Sequence, residues 1–200
     1  ASAGIGAIVK SSASAYADYE QNIGGIETLF KDNADTVVKY ASEAYKTAGI
    51  SANDYMQNVT SFSASLMQGL GGDTAQAAKI ANEAMVDMSD NANKMGTDIS
   101  SIQNAYQGFA KQNYTMLDNL KLGYGGTAAE MARLINDSGV LGDSIKVDEK
   151  TVNSVSFDKM IEAIHKVQTD LDITGTTSKE AATTVSGSLG SVKAAWANLM

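Results

Sequence analysis

The sequence contains no proline, although it contains 18 glycines. Without proline, no helix interior is interrupted by a missing N–H donor, and helices must end at Gly, at Asn or at capping side chains. Apolar residues recur at helical intervals along almost the whole chain, as in Val37, Ala41, Ala44 and Ala48. The same spacing predicts three further apolar helix faces: Tyr55, Val59, Phe62, Leu66 and Leu70; Ala77, Ala81, Ala84, Met85 and Met88; and Phe157, Met160, Ile161, Ile164, Val167 and Leu171. The sequence therefore predicts a mostly α, multi-helix, bundle-like fold with short Gly-rich joints.

Several helix boundaries are marked by specific residues. A predicted start has a short polar side chain followed three residues later by Glu or Gln, which together can bond free N–H groups. Starts of this kind are Asp73 with Gln76, Thr127 with Glu130 and Thr177 with Glu180. The pairs Gly71-Gly72 and Gly125-Gly126 are predicted helix stops, with at least one glycine of each pair at positive φ.

The helical period disappears between residues 139 and 155. Ile145 and Val147 alternate there with polar residues, which favours a small irregular or β insertion, such as a two-stranded flap. We expect residues 1–200 to form a single helical module, or two sub-parts, 1–138 and 156–200, joined by this insertion.

The charge balance and the distribution of apolar residues argue against two classes of partner. The net charge is −8, and the 15 basic residues are scattered singly, whereas proteins that bind the phosphate backbone cluster Lys and Arg. We therefore expect no specific nucleic acid binding by this segment. No stretch approaches 18 consecutive apolar residues, so we expect no membrane insertion by this segment either.

Side chains that offer nitrogen or sulfur ligands to a metal ion are few. His165 is the only histidine and there is no cysteine, which leaves too few N and S ligands for a usual zinc site. A calcium loop of the helix-loop-helix kind would need Gly at Ala92 and Glu at Asp98, and neither is present. The other liganding positions of that loop would be Asp87, Ser89, Asn91 and Asn93. We expect no metal and no cofactor.

Catalytic patterns are similarly weak. The single histidine has no recognisable nucleophile to serve, so no Ser/His/Asp set is indicated. A lysozyme-like carboxylate pair involving Glu20, Glu27 or Glu130 remains open, because such a pair has no spacing signature in sequence. We expect the chain not to be an enzyme, and we identify no catalytic residue.

Two stretches are rich in Asn, Gln, Tyr, Thr and Gly rather than in reactive side chains. They read DMSDNANKMGTDISSIQNAYQGFAKQNYTMLDNLKLGYGG over residues 87–126 and ITGTTSKEAATTVSGSL over residues 173–189. In these stretches the chain resembles the phage tail tape measure protein family, in the form carried by prophages of Gram-positive bacteria. The resemblance extends from about Gly4 to Met200 and is strongest at Met85–Arg133 and Ile173–Gly187.

The resemblance implies a structural role in the virion. Tape measure proteins lie in the lumen of the assembling tail and set its length, so the resemblance implies assembly in the host cytoplasm and a final place in the tail lumen. Implied partners are the tail tube protein, tail assembly chaperones, the tail tip and other copies of the chain. Family proteins are several times longer, which implies that this chain is a fragment. Two alternatives remain: a muralytic, lysozyme-like module of a tail protein, and a secreted helical interaction protein.

The last apolar positions have the spacing of a coiled coil. Their intervals alternate between three and four residues, which is typical of a heptad seam that packs against a partner helix. The residues of this candidate self-association seam are Ala182, Val185, Leu189, Val192, Trp196 and Leu199. We expect this helix either to pack back on the domain through Trp196 or to lead into a self-associating rod, so that the chain can form a homo-oligomer.

Overall fold

The computed structural model describes the backbone of residues 2–183 and 185–199, and the side chains of residues 14–183, 190 and 192–198. The described chain is mostly α-helical, as predicted. Its helices are α1 (Ser2–Phe30), α2 (Ala34–Thr47), α3 (Ala52–Gly69), α4 (Thr74–Met95), α5 (Ile99–Phe109), α6 (Ala128–Ser138), α7 (Phe157–Asp170), α8 (Thr176–Thr183) and α9 (Val185–Leu199). Short 3₁₀ turns occur at Lys31–Asn33, Leu117–Leu120 and Val152–Ser154.

Helices α3 and α4 lie at the centre of the molecule. Both contact α1, α2, α5 and α7, and α4 also contacts α8. The predicted apolar faces of the two helices are buried except at Leu70, which is partly buried, and α4 contributes mainly alanine and methionine. Small alanine side chains let neighbouring backbones approach closely, so α4 can be enclosed by several helices at once. Buried core residues of these two faces are Tyr55, Val59, Phe62, Leu66, Ala77, Ala81, Ala84, Met85 and Met88.

Helix ends follow the predicted capping chemistry in most places. The side chains of Ser51, Asp73 and Thr127 each accept a hydrogen bond from a backbone N–H in the first turn of α3, α4 and α6. Gly71 and Gly72 both have positive φ, as predicted for a helix stop. These side-chain caps satisfy donors that the helix itself leaves free.

Neither Gly125 nor Gly126 has positive φ, so that part of the prediction is wrong. Positive φ occurs at Gly123 instead of Gly125 or Gly126. Helix does not run through the pair, but the need for glycine at Gly126 is steric. A Cβ atom there would overlap the backbone carbonyl of Thr115.

The segment from 139 to 155 is irregular, and no strand occurs in it, so a two-stranded flap is not formed. Val147 is nevertheless bonded as a strand residue would be. The Asn136 side chain donates to the Val147 carbonyl oxygen at 2.8 Å and accepts from the Val147 N–H at 3.0 Å. One amide side chain from α6 thus replaces the second strand.

Residues on both sides of this segment contribute to one apolar core. Buried side chains from Ile26 through Leu122 pack in the same cluster as those of α7 and Ile173. Leu171 was predicted on the buried face of α7 but is half exposed. None of the helices in the described residues combines the length and apolarity required to cross a bilayer.

Candidate functional site

One turn and a half of α4 is buried on every side. Residues 87–91 are all buried, although only Met88 is apolar, and the polar members are Asp87, Ser89, Asp90 and Asn91. A helix enclosed by neighbours on all faces has no solvent side for polar groups. Buried polar groups are costly unless they are hydrogen-bonded. Asp87, Asp90 and Asn91 find partners on other elements, whereas the Ser89 hydroxyl has none within the described residues.

The first partner of this buried segment is His165 on α7. Its Nδ1 lies 2.9 Å from both carboxylate oxygens of Asp87, which is 1% exposed, while the His165 side chain is 32% exposed. An ionised carboxylate can only accept, so Nδ1 carries the proton and donates. No partner for this histidine could be identified from the sequence, and the structure places it against Asp87.

Burial and pairing act in opposite directions on Asp87. Burial raises the pKa of Asp87 and the hydrogen bond from His165 lowers it, and the net result is a pKa of about 6. The hydrogen bond to Asp87 raises the pKa of His165, with burial opposing it. The pair is therefore a charge-sensitive contact between α4 and α7.

Asn91 and Gln168 extend the contact between these helices. The Asn91 Nδ2 donates to the carbonyl oxygen of Leu120 at 3.0 Å and to the Gln168 Oε1 at 2.7 Å. Gln168 Nε2 in turn donates to the Asp87 carbonyl oxygen at 3.3 Å. These bonds join α4, α7 and the 3₁₀ turn at Leu117–Leu120.

Asp90 fixes the start of α8. Its Oδ2 accepts from the N–H of Gly175 at 2.6 Å, and its Oδ1 accepts from the N–H of Thr177 at 2.8 Å. The predicted capping box of Thr177 and Glu180 is therefore wrong. Thr177 is the second residue of α8, and a carboxylate from α4 takes the place of the local cap. Such a cap cannot be read from local sequence spacing.

Two further polar side chains lie beside the Asp87–His165 pair. Glu83 precedes Asp87 by one helical turn, and one ligand atom from each of Glu83, Asp87 and His165 lies within 4.8 Å of the others. The Tyr106 hydroxyl on α5 is fully buried and has no hydrogen-bond partner within the described chain. Burial, followed by the charges of Asp87 and Glu83, raises the pKa of Tyr106 well above its usual value.

The calcium loop considered from the sequence is not formed. Asp87, Ser89, Asn91 and Asn93 lie within the continuous helix α4, so their side chains point in different directions around the helix axis. Asp98 is the N-cap of α5 and accepts from the N–H groups of Ser100 and Ser101. The five residues therefore do not surround a common point.

A second polar cluster lies at the start of α6. Glu130 Oε2 accepts from the Gly125 N–H at 2.9 Å, and Arg133 Nη2 bonds both that carboxylate and the Gly123 carbonyl oxygen. The Arg133 guanidinium also lies 4.2 Å from the ring centre of Tyr124. The hydrogen bond from Arg133 lowers the pKa of Glu130 to about 2. Glu20 and Glu27, the other acids considered for catalysis, are exposed on α1.

The candidate self-association seam is only partly within the described side chains. Ala182 is exposed, and Val192 and Trp196 are 62% and 61% exposed. The side chains of Val185, Leu189 and Leu199 lie outside the described residues. Helix α9 packs back through buried Ala194 and through Asn198, whose Oδ1 accepts from the Ala52 N–H at 2.7 Å. Trp196, through which one of the two predicted arrangements would pack back on the domain, is mostly exposed.

Comparison of the chain with protein-family models, with curated proteins and with solved structures finds no match.

Proposed function

We propose that the chain is a structural segment of a phage tail tape measure protein, which sets tail length and occupies the tail lumen. The observation that carries the proposal is a contact between the two stretches of strongest resemblance. Asp90 belongs to the first stretch, and Gly175 and Thr177, whose N–H groups it accepts, belong to the second. Residues that carry the resemblance thus serve to assemble one helical unit.

The use of polar side chains supports the same proposal. Asp90, Asn91 and Gln168 are fully buried and bond helix ends, a 3₁₀ turn or a neighbouring helix. Networks of this kind rigidify a packing arrangement when their members find partners. A segment that must keep a defined length during tail assembly requires such rigidity.

The partners follow from the proposal. The segment would meet the tail tube protein, tail assembly chaperones, the tail tip or other copies of itself, first in the host cytoplasm and then in the tail lumen. Val192 and Trp196 offer exposed apolar surface for one of these contacts. A contact through them would join the segment to its neighbours without disturbing the core.

The acidic residues considered as catalytic candidates give less support to the muralytic alternative than the contacts above give to a structural role. A lysozyme-like general acid needs a raised pKa so that it carries a proton near neutral pH. The Arg133 contact lowers the pKa of Glu130 to about 2, which keeps this carboxylate ionised. The secreted interaction protein would differ from a tail component in the genes that flank its coding sequence.

A deletion in the phage or prophage that encodes the chain tests the proposed function. Removing residues 14–183 in frame should shorten the tail measured by electron microscopy, because the packed unit no longer contributes its length. The exposed-surface substitution Glu43→Gln is the control and should leave tail length unchanged. Tails of normal length after the deletion, or clearing of purified peptidoglycan by the chain, would overturn the proposal.

A further inference from the structure

Three potential metal ligands converge between α4 and α7. Glu83 and Asp87 are four residues apart and so lie on the same face of α4. His165 approaches that face from α7, and one ligand atom from each residue lies within 4.8 Å of the others. The set combines two carboxylates from α4 with an imidazole nitrogen from α7.

The distances suit a small ion. Zinc bonds of roughly 2.0 to 2.2 Å in a tetrahedral arrangement place ligand atoms about 3.3 Å apart. The Asp87–His165 contact of 2.9 Å would need to open by only a few tenths of an ångström. Glu83 is half-buried at the edge of the cluster and can close the remaining distance by a side-chain rotation.

A buried polar group beside the cluster gives a second indication. The Tyr106 hydroxyl is 0% exposed and has no hydrogen-bond partner within the described residues. Natural structures rarely leave such a hydroxyl without a partner, and a bound water or ion commonly provides one. Its pKa responds to the charges of both Asp87 and Glu83, so Tyr106 lies within electrostatic reach of the same two carboxylates.

We propose that Glu83, Asp87 and His165 form a binding site for a divalent transition-metal ion of the zinc type. The imidazole selects against calcium and magnesium, which prefer oxygen ligands alone. The three side chains leave a coordination position for water, and the Tyr106 hydroxyl is the buried group available to bond that water or a ligating carboxylate. The bound ion ties α4 to α7 and compensates the negative charge of the two acids.

This inference reverses the expectation drawn from composition. Counting only nitrogen and sulfur ligands gave a single candidate, His165. Carboxylates also bind zinc, but Glu83 and Asp87 are separated from His165 by about eighty positions. Their meeting depends on the packing of α4 against α7, which the sequence does not specify locally.

Zinc titration of the metal-stripped chain tests the site. Isothermal titration calorimetry with zinc chloride should show one ion per chain, and the imidazole resonances of His165 should shift on binding. Because His165 is the only histidine, its resonances report on this site alone. At free zinc about one hundred times Kd, the melting temperature should rise by about 5 to 10 °C.

The deciding variant is Glu83→Gln, which leaves the Asp87–His165 contact in place. It should weaken zinc binding at least about tenfold, whereas Glu43→Gln, an exposed substitution in α2 with the same charge change, should not. The variant His165→Gln should also lose binding, but it removes the partner of a buried carboxylate and can destabilise the fold. A wild-type Kd weaker than about 100 µM, or equal zinc affinity in wild type and Glu83→Gln, would overturn the proposal.

Discussion

Both carboxylate oxygens of Asp90 are used by backbone N–H groups that come 85 and 87 residues later in the chain. The side chain is fully buried, and it performs the work that a local Ser, Thr or Asp performs at most helix starts. The same helix, α4, begins with an ordinary local cap at Asp73, which is exposed. The two aspartates therefore allow a remote cap and a local cap to be compared within one helix.

Replacing Asp90 by Ala should lower the free energy of unfolding by about 2 to 4 kcal/mol. The change removes a cap worth roughly 1 kcal/mol and leaves two partly buried N–H groups without an acceptor. Asp73→Ala removes only an exposed cap and should cost about 1 kcal/mol. Urea denaturation of both variants measures the difference, and equal costs would show that Asp90 does not have the role described.

At the scale of elements, the joint between residues 121 and 127 depends on close backbone contact. A Cβ at Gly126 would overlap the Thr115 carbonyl oxygen, whereas a Cβ at Gly125 would lie 3.5 Å from the Glu130 Cγ, an ordinary contact. Neither glycine has positive φ, so alanine would not strain the local backbone by its conformation. The two glycines therefore differ in the space available for a Cβ atom and not in any need for positive φ.

Gly126→Ala should destabilise the chain by about 1 to 3 kcal/mol, because backbone atoms must move to admit the methyl group. Gly125→Ala should be neutral or should stabilise by up to about 1 kcal/mol, because it reduces the entropy of the unfolded chain. Chemical denaturation of the matched variants measures both effects. A neutral Gly126→Ala would mean that α6 and the Thr115 segment separate easily.

Sequence reasoning succeeded where burial follows local periodicity. Most of the buried faces of α3 and α4 were predicted correctly, because the side of a helix that meets the core needs an apolar residue at every turn. Val59, Phe62 and Leu66 are an example. It failed where a partner comes from a distant element. Asp90 replaced the predicted cap of α8, and Asn136 replaced the predicted second strand at Val147.

The candidate site was missed for a related reason. Glu83 and Asp87 look like a common pair of acids on a helix, and His165 looks like a surface residue of another helix. The one available signal was a run of polar residues, 87–91, inside a helix whose other positions are apolar on one face. Only the enclosure of α4 by α5, α7 and α8 turns that run into a buried network.

At the scale of the whole molecule, the exposed apolar residues of α9 lead to a prediction about association. Val192 and Trp196 are more than half exposed and lie four residues apart, at heptad spacing. We expect the chain to self-associate through them, so the mass measured by sedimentation equilibrium should rise with concentration. The double substitution Val192→Ser and Trp196→Ser should return the chain to a monomer.

Leu171→Ser provides the matched control, because Leu171 is 50% exposed but lies at the end of α7. It should leave the association unchanged. A monomer at every concentration, or loss of association in the Leu171→Ser variant alone, would contradict a role for the seam. Circular dichroism of each variant establishes that the helices are retained.

The position of Asp90 also bears on the order in which the helices form during folding. Helix α8 has eight residues, and isolated helices of that length are marginal in water. Its first N–H groups bond to Asp90 on α4, which is synthesised much earlier, so α8 acquires these acceptors only once α4 has formed. Newly made chains should therefore form the central helices before α8 is stable.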